Sequence, residues 1–121
     1  LLALEKLEAL RYAHFVKPGG TIIVNDHKVE PIRVVDQRPY PDEAIDFLEG
    51  KGFNVVVIKA TEKANELGNH RAANVVLLGT LSRSLDITQE TWESTLRKRI
   101  PEKLLALNQQ AFAAGRQLFT P

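Results

Sequence analysis

The stretch Lys17-Pro18-Gly19-Gly20-Thr21-Ile22-Ile23-Val24-Asn25 constrains the fold more than any other part of the sequence. A helix does not continue easily through proline and two glycines, and a lysine just before them suits the negative end of a helix dipole. The residues that follow are β-branched and almost wholly apolar, the pattern of a strand buried on both faces. A helix that turns at once into a buried strand requires a sheet with other layers packed on it.

The rest of the chain is read around that junction. Leu1 to Val16 reads as one helix, opening without a cap, because Ala3, Leu4, Leu7, Leu10 and His14 recur at helical spacing. Glu8 and Arg11 lie one turn apart on its flank and can pair. After a turn at Asp26-His27, Val29 to Val35 reads as a second extended stretch, with Pro31 marking an edge or a bulge. Gln37 to Asp42 is a loop, and Pro41 is expected at the first position of a helix carrying Ala44, Ile45, Phe47 and Leu48. Gly50 or Gly52 closes that helix, and Phe53 to Ile58 reads as another buried strand.

Helices dominate the second half. A short one spans Ala60 to Leu67 and ends at Gly68; Asn69 then caps another running from Arg71 to about Ser84. This helix is apolar almost all round, so it belongs in the middle of the packing. Gly79 inside it costs about 1 kcal/mol against alanine and marks the close approach of another backbone. Thr88 caps a helix to Lys98, and Pro101 starts a last one to about Gly115, with Leu104, Leu105, Ala111, Phe112, Gly115 and Phe119 on one face. The order is helix, strand, strand, helix, strand and four helices, an α/β layered sheet flanked by helices. Three strands are few for so many helices, and the chain opens on Leu1 with no methionine anywhere. The expectation is therefore that residues 1–121 are the C-terminal portion of a single domain whose N-terminal part is missing.

Composition narrows the function. With 44% hydrophobic and 26% charged residues and a formal net charge of +1, the surface has no field suited to nucleic acid or an anionic membrane. No apolar run is long enough to span a bilayer and no secretory signal is visible, which points to the cytoplasm. The absence of cysteine removes disulfides and the thiolate ligands of iron–sulfur clusters.

Few residues suggest chemistry. His14, His27 and His70 pair neither with each other nor with a carboxylate at metal-binding spacing. No serine sits in a nucleophile elbow, and Pro18-Gly19-Gly20 precedes a strand rather than linking a strand to a helix, the wrong order for a dinucleotide site. Glu5 and Glu8 read as solvated surface. Asn74 starts the most apolar helix and Asn108 lies on an apolar stripe, so both are read as amides needing partners. The candidates for structural or interface polar contacts are Glu8, Asn69, Arg71, Asn74 and Asn108; none is expected to be catalytic, and none to hold a cofactor or metal.

Leu7-Glu8-Ala9, Pro18-Gly19-Gly20 leading to Asn25, Pro31 and Tyr40-Pro41 form an ordered set. Gly68-Asn69, Asn74 and Leu78-Gly79 continue it, and Asn108, Ala111, Phe112 and Gly115 close it. In order and spacing this set resembles the gamma-type subunits of 2-oxoacid:ferredoxin oxidoreductases, nearest to the smaller subunit of the indolepyruvate enzyme. The resemblance implies a Rossmann-like gamma domain in a complex that decarboxylates a 2-oxoacid oxidatively, passing the acyl group to coenzyme A and electrons to ferredoxin. It also implies that thiamine diphosphate and the iron–sulfur clusters belong to partner subunits, chiefly a large catalytic one. The family's opening Gly-x-Gly-Gly-Gln-Gly stretch is absent here. From the residues alone, a stand-alone nucleotide-binding domain and a plain protein-interaction domain also stay open.

Overall fold

The computed structural model describes residues 1–28 and 41–120. The extended stretch expected at Val29 to Val35, with Pro31, lies outside the described residues, as does the loop through Tyr40. Three strands are described, β1 (Leu2–Ala3), β2 (Thr21–Asn25) and β3 (Asn54–Ile58). The described helices are α1 (Lys6–Tyr12), α2 (Ala44–Gly50), α3 (Ala60–Glu66), α4 (Ala73–Ser82), α5 (Gln89–Arg99) and α6 (Glu102–Gln117). The expected α/β class is the one adopted. The chain forms two compact units, Leu1–Val57 and Ile58–Pro121.

In the first unit the sheet order is β1-β2-β3, so the apolar strand predicted from the sequence is the central one. Ile22 and Val24 point to one side, where Ala9, Ala13 and Leu48 complete a core; Ile23, on the other side by strand alternation, is also buried. β1 runs parallel to β2, with Leu2 opposite Ile23 and Ala3 opposite Val24. β3 is less buried than its composition suggests. Of its residues only Ile58 is buried, while Val57 is 42% exposed, because among the described strands β3 has β2 as its one neighbour.

The opening corrects the helix expected from Leu1. Its first residues form β1, and the helix begins only at Lys6. Glu5 sets that boundary. Its backbone is extended, at φ −161°, and its carboxylate accepts the N–H groups of Leu7 at 3.1 Å and Glu8 at 2.8 Å. Two donors that a helix start leaves without intrahelical partners are thus satisfied by one side chain. Glu5 is buried, not solvated surface. Glu5→Ala is expected to destabilise the protein by about 1–2 kcal/mol in urea unfolding; unchanged stability would contradict the capping role.

Asn25, at the end of β2, is buried and donates from Nδ2 to the Leu4 carbonyl at 3.2 Å. It fastens the end of the central strand to the β1–α1 connection. Pro41 stands three residues before α2 rather than at its first position, and Gly52, at φ 85°, turns the chain out of that helix. Gly50 is the last helical residue instead.

In the second unit the expected caps are present. Gly68, at φ 102°, ends α3. Asn69 Oδ1 accepts the Arg71 N–H at 3.0 Å and opens a 3-10 turn, His70–Ala72, that feeds α4. Thr88 Oγ1 accepts the Thr91 N–H at 3.2 Å and opens α5.

α4 and α6 pack with their backbones in close approach. A Cβ built on Gly79 would overlap the Phe112 carbonyl oxygen and lie 3.0 Å from its carbon; one built on Gly115 would overlap the Val76 carbonyl oxygen and lie 3.1 Å from Gly79 Cα. The glycine predicted to admit another backbone does so, and its counterpart is a second glycine. Polar groups stitch the same crossing. Thr80 is fully buried, with Oγ1 3.2 Å from the Val76 carbonyl oxygen and 3.1 Å from that of Gly115. Ser82 donates to the Gly79 carbonyl at 2.6 Å and accepts from Arg116 Nη1 at 2.8 Å. These bonds satisfy polar groups that water does not reach.

Candidate functional site

The second unit carries a cleft of about 330 Å³ between the start of α4 and the turn that joins α5 to α6. Asn69, Arg71 and Asn74 line it from one side, and Arg99 and Asn108 from the other. Four of the five polar residues singled out in the sequence therefore meet in one place, although Asn108 is far along the chain from the rest. The packing of α4 on α6 brings them together.

Each is held by a local feature. Asn69 is fixed by its capping bond to Arg71 N. Asn74 lies on an exposed position of α4, not a buried one as its apolar neighbours suggested. Its amide is open to water, so it needs no partner inside the protein. Asn108 is half-buried and donates from Nδ2 to the Leu104 carbonyl at 2.8 Å, one turn back on its own helix. Arg99 is not among the residues that the sequence singles out. The signal was its place at the end of the Arg97-Lys98-Arg99 run, just before the Ile100-Pro101 turn.

Glu8 stands apart, in the first unit. It pairs with Arg11 as expected and borders a shallow groove with Leu1, Leu4 and Tyr12. Among the described residues no group of three or more His, Asp or Glu is placed to hold a metal ion. No helix among them is long and apolar enough to cross a membrane. Trp92 of α5 packs its ring against Phe112 of α6, with centroids 5.8 Å apart, and its Nε1–H is buried with no hydrogen-bond partner among the described residues.

Comparison with known proteins places this architecture. The sequence matches the family described as pyruvate ferredoxin/flavodoxin oxidoreductase across residues 1–118. The chain belongs to that family. The indolepyruvate oxidoreductase subunit IorB of Thermococcus kodakarensis is 32% identical over 121 residues, an alignment that takes in 95% of this chain and 60% of the relative. The 2-oxoglutarate synthase subunit KorC of Methanothermobacter marburgensis is 29% identical over 120 residues, covering 98% of this chain and 59% of the relative. The crystal structure of a keto/oxoacid ferredoxin oxidoreductase gamma subunit from Geobacter sulfurreducens superposes with a TM-score of 0.71 at 25% identity, over 98% of this chain and 62% of that one. This family member thus spans about 60% of the length of the curated relatives it matches.

Proposed function

We propose that this chain is part of the non-catalytic small subunit of a 2-oxoacid:ferredoxin oxidoreductase, with indolepyruvate as the preferred substrate. The family match across residues 1–118 carries the reading. The IorB names of relatives support indolepyruvate, and the more distant KorC supports the wider class of 2-oxoacids. In the proposed reaction the 2-oxoacid loses carbon dioxide, coenzyme A takes the acyl group and ferredoxin takes the electrons. In this reading the iron–sulfur clusters reside on partner subunits, since the chain offers no thiolate ligand, and thiamine diphosphate is placed there by the family resemblance. Its own residues would shape a boundary with the large catalytic subunit in the cytoplasm, and Glu8 of the first unit is one polar contact there.

A second reading, a stand-alone nucleotide-binding domain, is favoured by one feature, the concave cleft with polar walls. The glycine turn before β2 does not support it, because phosphate loops follow a strand and open a helix.

Co-purification tests the leading reading. The full-length protein, tagged and co-expressed with the large subunit from the same source, is expected to retain that subunit through size-exclusion chromatography. Elution of the two as separate species would count against it and would bring the second reading forward.

A further inference from the structure

The lining of the α4–α6 cleft includes two guanidinium residues, Arg71 and Arg99, and no carboxylate. Neither arginine forms an ion pair with a described residue. Arg99 has a local explanation: it lies in the last turn of α5, where positive charge complements the helix dipole. Arg71 has none. It sits in the 3-10 turn that leads into α4, the end at which the dipole disfavours a cation. An anion held in the cleft offsets both charges and meets the favourable end of α4.

The amides supply the matching donors. Asn69 uses its oxygen for capping, which leaves its NH2 group to donate. Asn108 commits one N–H to Leu104 and keeps the other. The side-chain amide of Asn74 makes no hydrogen bond to a described residue. The remaining lining is apolar, with Val75 and Leu107 among it. We propose that this cleft binds the oxyanion group of a small molecule, a phosphate or a carboxylate, with the apolar floor receiving the rest of the ligand. Planar guanidinium forks pair with both kinds of oxyanion. A volume of about 330 Å³ falls within the range of small-molecule sites. The inference concerns this chain's own residues and does not depend on the subunit assignment.

Calorimetric titration of the full-length protein with inorganic pyrophosphate and with citrate, at fixed ionic strength, tests it. Saturable binding of at least one anion is expected. Arg71→Ala and Arg99→Ala are each expected to weaken it about tenfold, the effect of losing one charge-assisted contact. Arg97→Ala, at the same end of α5 but outside the lining, is expected to change it by less than about twofold, as a screened surface charge would. Circular dichroism verifies that each variant is folded. Tighter pyrophosphate binding assigns a phosphate ligand, and tighter citrate binding a carboxylate. Absence of saturable binding, or an equal loss in all three variants, overturns the proposal. Anion binding that persists in a protein unable to retain the large subunit would overturn the subunit reading and leave this one standing.

Discussion

Alanine at Gly79 or Gly115 is expected to lower the stability of the protein by about 2 kcal/mol or more. Alanine is ordinarily the better helix former by about 1 kcal/mol, so the sign of the result is diagnostic. At Gly79 the new methyl group would strike the Phe112 carbonyl, and at Gly115 that of Val76. Both obstacles are backbone atoms in the middle of helices, so no side-chain rotation relieves the clash. α4 and α6 would have to separate, which would also pull Thr80 Oγ1 from the Gly115 carbonyl. Gly50 is the control. It is helical, and a Cβ there meets nothing within 4 Å, so Gly50→Ala is expected to gain up to about 1 kcal/mol. Urea unfolding of the full-length variants measures all three. A Gly79→Ala protein as stable as its parent would contradict the close crossing.

Leu48→Ala is expected to cost about 3 kcal/mol, within the usual span for removing a buried leucine side chain. Leu48 is fully buried in the core that Ile22 and Val24 of the central strand share with Ala9 and Ala13 of the first helical segment. Those alanines have little side chain with which to close the gap. Its neighbour Phe47 is 55% exposed, and Phe47→Ala is expected to cost less than about 1 kcal/mol despite removing more atoms. The same unfolding measurement separates the two. Comparable losses would mean that α2 packs on a different face.

Features that depend on a few adjacent residues were legible in the sequence. Asn69 and Thr88 are caps in both, and the β-branched run after Gly20 is the central strand. Gly79 was legible because an interior helical glycine has few purposes other than close packing. The opening was misread for a physical reason. A strand of two residues has no periodicity of its own, and its apolar residues fall equally well on an extended helix pattern. Only the parallel pairing with β2 distinguishes the two. The exposure of β3 was hidden in the same way, because Asn-Val-Val-Val-Ile reads alike at the centre and at the side of a sheet. The residues of the cleft were named singly, but their convergence depends on α4 meeting α6. Arg99 was overlooked because a cation at a helix end already has an ordinary explanation.

Reconstituted activity decides whether this protein is a required companion of the large subunit. The large subunit and the full-length form of this protein are assayed together and separately for indolepyruvate-dependent reduction of ferredoxin. Turnover is expected only when both are present, and neither turnover nor thiamine diphosphate binding is expected of this protein alone. Full activity of the large subunit without its companion, or turnover by this protein alone, would contradict it.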